Sequence, residues 1–273
     1  MESFPSLVLK LEQIEQDAWT DLYEAAPEPV RETLGIRVEK INSASALLVR
    51  GVDYEDFNRV IGLGVDEPAT ERTVDRMLAF YRDHGIHSFL IHLAPIARPA
   101  NIRQWLEARG LVAKRRWAKM YRPPEPPAGI ETKLRVAEVA PEEAERYGRV
   151  VCAGFEMPES IAPWNAATVG RVGWKQFLAL DGEEAIGCGS IFVSDGMCWL
   201  GVGATVPKHR RRGAQGAVMT RRIEEGIALE CKWLATETAE DLPGKPNPSL
   251  HNMIRTGFLT AYLRENFGLP AGA

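Results

Sequence analysis

The chain has 273 residues and a formal net charge of −4, from 33 Lys and Arg against 37 Asp and Glu. That length accommodates two domains, each large enough to bury a core, and the acidic balance argues against general nucleic-acid binding. No uninterrupted apolar stretch approaches the roughly 20 residues of a membrane span.

Residues 1–6 lack the basic start and apolar core of a secretion signal, so a cytoplasmic location is expected. Residues 59–65, Arg-Val-Ile-Gly-Leu-Gly-Val, form a glycine-spaced apolar run. A short acidic turn follows (Asp66, Glu67, Pro68, Ala69), then a helical pattern over 70–83 and a strand over 88–93. Residues 102–109 read as a helix stopped by Gly110, and 117–121 as a closing strand. An acidic turn at a helix N-terminus satisfies the helix dipole itself and repels phosphate. Residues 122–129, Arg-Pro-Pro-Glu-Pro-Pro-Ala-Gly, are stiff and nearly devoid of apolar anchors, which marks 123–132 as a linker. The expected division is therefore 1–122 and 133–273.

In the second half, residues 174–180, 185–193 and 197–204 read as successive strands. Asp181 with Gly182 and Asp195 with Gly196 join them, and each pair favours a tight hairpin. Residues 206–219 then run Val-Pro-Lys-His-Arg-Arg-Arg-Gly-Ala-Gln-Gly-Ala-Val-Met into a helix spanning 215–230. A strand, a basic glycine-containing turn and a helix place unpaired N–H groups and the positive helix end at one point, which binds phosphate. Gly213 and Gly216 let the backbone approach, while Arg210, Arg211 and Arg212 add charged donors beside Lys208 and His209. The plain alternative is a solvated basic loop ahead of a surface helix. Neither the Walker pattern nor the dinucleotide fingerprint is present. Residues 231–236 read as a short strand, 248–255 as a helix stopped by Gly257, and 258–263 as a final strand. Cys152, Cys188, Cys198 and Cys231 contain no Cys-x-x-Cys pair, and the five histidines lack a ligand framework, so reduced thiols and no metal are expected.

The loop resembles the acyl-CoA pyrophosphate loop of the GNAT superfamily of N-acyltransferases, Gln/Arg-x-x-Gly-x-Gly/Ala. Arg210, Arg211, Arg212, Gly213, Ala214 and Gln215 fill its places, with Gln215 where Gly or Ala is usual. The element order over about 133–268 is also similar to that family. The resemblance implies an α/β (α+β mixed sheet) fold with two GNAT-like domains in tandem, each a mixed, mostly antiparallel sheet flanked by helices. The first domain is degenerate and lacks a CoA loop. The implied co-substrate is acetyl-CoA, held by Val202, Ala204, Arg210, Arg211, Arg212, Gly213, Ala214, Gln215, Gly216, Ala217 and Asn247. Gly201 and Gly203 suit the bulge whose N–H groups polarise the thioester carbonyl in such folds.

The family's usual acid is a tyrosine about four residues before the Gly-Phe pair, where this chain has Met253. The polar residues nearby are Ser249, His251, Asn252 and Tyr262, with Ser249 the first choice for the leaving group or else a helix cap. Candidates for the base are Glu237, Glu240 and Asp241, or Glu156 on an acceptor-side loop, or water alone. Three functions follow. The first is N-acetylation of a small-molecule or peptide amine by a monomer or homodimer, without nucleic acid or membrane. The second is a non-catalytic acyl-CoA-binding or sensory module. The third is an interaction protein whose loop takes another phosphorylated ligand.

Overall fold

The structure, a computed structural model, describes residues 3–52, 54–128, 132–270 and 272. Met1 and Glu2 of the opening segment and residues 129–131 of the linker lie outside the described residues. Two compact units partition the chain. The first comprises Met1–Glu24, Glu28–Lys119 and Ala261–Ala273; the second comprises Ala25–Pro27 and Met120–Thr260.

The first unit runs through α1 (Phe4–Glu24), α2 (Glu28–Leu34), β1 (Ile36–Ile41), β2 (Ala44–Val49), β3 (Arg59–Ile61), α3 (Glu71–Asp83), β4 (Leu90–Leu93), α4 (Ile102–Ala108) and β5 (Val112–Ala113). Strand β6 (Trp117–Arg122) leads into the second unit. There follow β7 (Arg135–Glu138), α5 (Ala144–Phe155), α6 (Ala162–Ala166), β8 (Trp174–Asp181), β9 (Glu184–Ser194), β10 (Met197–Thr205), α7 (Ala214–Ala228), β11 (Trp233–Ala239) and α8 (Pro248–Arg255). The last strand, β12 (Leu259–Gly268), belongs from Ala261 onward to the first unit.

That return corrects the expected division at 133–273. The sheet of the first unit has β1, β2 and β3 antiparallel, β4 parallel to β3, and β12 antiparallel to β4 through Leu93↔Glu265, His92↔Asn266 and Ile91↔Phe267. One face packs on α3 and α4 through Leu48, Val60, Val74, Met77, Ile91, Leu106 and Phe267, all buried. Burying each such side chain contributes roughly 1.5–3 kcal/mol. Elsewhere in this unit Arg264 of β12 meets Glu12 and Glu15 of α1, and Lys119 of β6 also pairs with Glu15; all four are buried. Burial alone would raise the Glu15 carboxyl, but the Arg264 and Lys119 charges outweigh it and hold Glu15 well below the usual carboxylate range. Tyr262 donates to Glu12 in the same cluster. It therefore serves the buried cluster of the first unit.

The acidic turn of the first half is closed in two ways. Thr70 caps α3, accepting from the Thr73 N–H at 3.1 Å, and the Thr73 side chain accepts from the Thr70 N–H in return. The run at 59–65 is a strand only to Ile61. Beyond it Arg98 seats its backbone on Gly64, donating to the Gly64 carbonyl at 2.8 Å and accepting from Ala69 at 2.8 Å. The Ala69, Thr70 and Thr73 N–H groups at this helix start are thus already bonded to protein, and the turn before them is acidic.

In the second unit the sheet order is β11-β10-β9-β8-β7, antiparallel except for the parallel pair β10 and β11. The hairpin signals hold: Asp195 and Gly196 take φ of 48° and 72° between β9 and β10, as a two-residue turn with positive φ requires. Helix α5 packs Tyr147, Val150 and Val151 against Leu178, Leu180 and Cys188. Helix α7 lies over the alternate residues of β9, with Gly189 leaving the space that Val218 and Arg222 occupy. All four cysteines are free and buried.

Candidate functional site

The ladder between β10 and β11 consists of Met197↔Trp233, Cys198↔Leu234 and Trp199↔Ala235. Beyond Leu200, whose carbonyl accepts from Thr236 Oγ1 at 2.9 Å, no further pair joins the two strands among the described residues. On its other edge β10 shifts register against β9 between Gly201 and Ala204. The strained residue of this bulge is Val202, at φ 50°. Positive φ is costly for a β-branched side chain and persists only where surroundings dictate it.

Gly201 and Gly203 lie in the bulge as expected, and they also leave room for large neighbours. A Cβ on Gly201 would stand inside the Trp199 ring, and one on Gly203 would lie 3.0 Å from Arg222 Nη2. Arg222 is fully buried beneath the bulge; its Nη1 donates to the Gly201 carbonyl at 2.9 Å and the Ser190 carbonyl at 3.3 Å. Burial lowers its guanidinium to about 10, still charged at neutral pH. Ser190 Oγ also donates to the Gly201 carbonyl at 3.2 Å. Val202 and Ala204 pack toward α5, where Gly154 leaves room for Ala204.

After β10 the chain turns through residues 207–209 and enters α7 at Gly213, which has φ 84° and ψ 0° and offers no side-chain cap. The first donor used within the helix is the Ala217 N–H, bonded to the Gly213 carbonyl at 3.0 Å. Ala217 is therefore already committed, whereas Ala214, Gln215 and Gly216 occupy the first three helical positions, whose N–H groups have no partner in the helix. Among the described residues a Cβ at Gly213 would meet only Thr132 Oγ1, at 3.8 Å.

The three arginines differ. Arg212 is bound by Asp181 and by His209 Nδ1 at 2.9 Å, while His209 Nε2 and Lys208 share Glu184. Arg210 lies 3.9 Å from Glu156. Arg211, at φ 64°, is exposed and has no ion pair among the described residues. Two of the three cations are thus held beside the turn by carboxylates, and the third is available. Glu156, expected as a buried base, is instead an exposed left-handed cap of α5 facing the basic loop.

Glu237 projects from the free part of β11 and takes both its carboxylate oxygens to the Trp199 indole N–H, at 3.1 and 2.9 Å. Sequence reasoning missed Trp199 and Arg222; the glycines at 189, 201 and 203 were the signal that large side chains lie against this strand. Asn247 caps α8, accepting from the Ser249 N–H at 3.0 Å. Its amide donates to Thr238 Oγ1 at 2.9 Å and the Ala239 carbonyl at 2.6 Å, tying α8 to the end of β11. Asn247, and not Ser249, is the cap. The Ser249 hydroxyl faces Gln215, whose amide donates to it at 3.2 Å. His251 is exposed and pairs with Asp241 at 2.7 Å, and Met253 is buried.

Comparison with family models and with curated proteins finds no match. Solved structures do match. A GCN5-related N-acetyltransferase from Kribbella flavida superposes with a TM-score of 0.61 at 14% identity, covering 87% of this chain and 90% of that one. A tandem GNAT protein from the clavulanic acid biosynthesis pathway gives 0.57 at 14% identity, over 82% of this chain and 77% of that one. A functionally unknown conserved protein from Staphylococcus epidermidis gives 0.56 at 9% identity, over 87% and 95%. The chain has the fold of the GNAT acetyltransferases, a mixed sheet flanked by helices. A fold hosts more than one function, so the activity is argued from the site. Among the described residues no helix is long and apolar enough to cross a membrane, and no group of His, Cys, Asp and Glu is arranged to hold a metal.

Proposed function

We propose that the second unit is an acyl-CoA-dependent N-acyltransferase that moves an acetyl group from the thioester directly to a primary amine of a small molecule or peptide. One observation carries this reading: an uncapped, arginine-flanked helix start at Gly213 follows a strand that has parted from its parallel neighbour and bulges at Val202. The free N–H groups of α7, with Arg211, suit a pyrophosphate. The helix terminus contributes only about 0.3–1 kcal/mol per charge, so converging amides supply most of the selectivity. The opening between β10 and β11 suits an extended pantetheine arm, and the bulge frees N–H groups for the thioester carbonyl. Each such donor is typically worth about 2.7–4 kcal/mol in the transition state.

The amine nitrogen attacks the thioester carbon, the carbon–sulfur bond breaks, and the electron pair leaves on sulfur. Glu237, oriented by Trp199, or water takes the proton from nitrogen, and Ser249 meets the leaving sulfur. Glu237, Glu240 and Asp241 favour a cationic acceptor. The first unit, whose corresponding helix is capped by Thr70, acts without CoA of its own.

The test is release of CoA thiol from acetyl-CoA on adding amines. Amine-dependent release, with preference for cationic acceptors, is expected. A second reading, a non-catalytic acyl-CoA-binding module, is favoured by Met253, buried at the place where a tyrosine would serve as acid. It predicts tight binding and no amine-dependent release across the panel.

A further inference from the structure

Helix α8 carries Ser249, Asn252 and Arg255 at intervals of three residues; Ser249 and Asn252 meet Gln215 in the first turn of α7, and the exposed Arg255 meets Asn252. Arginine has only donors, so the atom of Asn252 that meets Arg255 Nη2 is its carbonyl oxygen. The Asn252 amide nitrogen then donates to Gln215 Oε1, and the Gln215 nitrogen is left to donate to Ser249 Oγ. Each step removes one choice of orientation, and the last determines the hydroxyl: an oxygen that accepts from Gln215 must point its hydrogen elsewhere. The usual local acceptor for a helical serine is the carbonyl four residues earlier. Here that group belongs to Lys245, which lies outside the helix and accepts from the Leu242 N–H at 3.3 Å. Ser249 Oγ donates to no acceptor among the described residues. It is half-buried, between the phosphate-type loop and the open end of β11, to which Asn247 ties the helix.

We propose that Arg255, Asn252 and Gln215 form a relay of fixed hydrogen bonds that holds the Ser249 hydroxyl as a donor to the sulfur of bound CoA. The inference rests on the acyl-CoA reading and deepens it. As the carbon–sulfur bond breaks, the electron pair on sulfur accepts the Ser249 hydrogen bond, and Ser249 keeps its proton. The thiolate takes a proton from water after release. Ser249 touches the reacting group, and Gln215, Asn252 and Arg255 are positioning residues. In this light the departure at Gln215 from the small residue of the family pattern is functional.

The experiment is calorimetric titration of CoA, and of desulfo-CoA, at pH values below and above the thiol's pKa. A donor aimed at sulfur makes the wild-type protein bind the thiolate about tenfold more tightly than the thiol, one pKa unit of preference, with no such rise for desulfo-CoA. Ser249→Ala abolishes the rise. Gln215→Glu does so as well, because a carboxylate captures the serine hydrogen, and Ser249→Thr preserves it. The comparison is a ratio within each variant, so a uniform loss of affinity from the added charge of Gln215→Glu cancels. Desulfo-CoA binding reports that each variant is folded. A rise that persists in Ser249→Ala, or is absent from wild type that binds CoA, overturns the relay and leaves the acyl-CoA reading standing. Wild type that binds neither ligand overturns both.

Discussion

Gly213 offers the sharpest perturbation, because the structure separates its folding cost from its binding cost. Its φ of 84° is strained for an L-residue, at about 1 kcal/mol for either Ala or Asp. Among the described residues a Cβ there meets no atom closer than Thr132 Oγ1 at 3.8 Å, so neither variant is crushed by them in the free protein. Bound pyrophosphate changes the balance. The methyl of Gly213→Ala intrudes on the approach to the helix N–H groups, and loss of one such bond, at about 1.5 kcal/mol, weakens acetyl-CoA roughly tenfold. The carboxylate of Gly213→Asp adds repulsion of about 3 kcal/mol per phosphate charge, taking ~5 Å and an effective dielectric of ~20. A further loss of roughly a hundredfold follows. Calorimetry at two ionic strengths measures both terms, and raising salt to about 0.5 M narrows the gap between the variants several-fold. Equal losses in the two variants, or a gap indifferent to salt, would refute the electrostatic reasoning. Unchanged affinity in both would remove the loop from the site.

Arg222→Met should destabilise the second unit by about 1–2 kcal/mol in chemical denaturation. It strips donors from two carbonyls, one of which retains Ser190 Oγ; a stability equal to wild type would show that the bulge does not depend on the guanidinium. Arg264→Met removes the cation that meets both Glu12 and Glu15 and leaves Lys119 beside Glu15, and breaking such a buried cluster costs roughly 3–5 kcal/mol. Hydrogen exchange should then rise in α1 and β12 but not in α7, and uniform change across the chain would count against a local role. The depressed Glu15 carboxyl contributes stability that is fully present above the ordinary carboxylate pKa, near 4, and is lost as pH falls below it. An acid titration followed by exchange in α1 should show loosening below about pH 4, and Glu15→Gln should flatten that dependence.

The second unit was more legible in the sequence than the first. Its strands alternate and are punctuated by Asp-Gly turns, so 174–180, 185–193 and 197–204 differ from the observed β8, β9 and β10 by a residue or two. The helix at 248–255 matches α8, where Asn247, Pro248 and Gly257 punctuate both ends. The middle of the first unit was legible too, since 70–83, 102–109 and 117–121 lie within a residue of α3, α4 and β6, but α1, α2, β1 and β2 escaped for physical reasons. Helix α1 buries Glu12, Glu15 and Gln16 on a face where periodicity demands apolar residues; Gln16 is met by Ser43 and Ser45, and the two glutamates by Lys119 on β6 and Arg264 on β12. Partners more than a hundred residues away leave no local trace. The final strand was recognised, but hydrophobic alternation says that a segment is a strand and not which sheet receives it. Within the site the loop was visible through its glycines and arginines. The positive-φ Val202 was not, since valine is the residue least expected there. The roles of Gln215 and Asn247 depend on what faces them across α7 and α8, which spacing alone does not encode.

The placement of β12 bears on how the chain is made. A ribosome delivers residues from the N-terminus, and domains ordinarily fold in that order. Here the first unit emerges early but lacks Arg264 and the strand beside β4 until residues 261–268 are synthesised. The second unit, complete at Thr260, is the earlier of the two to have all its parts. Meanwhile Glu12 and Glu15 have Lys119 early but wait for Arg264, more than two hundred positions downstream, so the nascent first half is one strand and one cation short of its folded unit. A fragment ending near residue 122 would lack that strand and that cation, and a stop codon in place of Ala261 would injure the first unit while leaving the residues of the second in place.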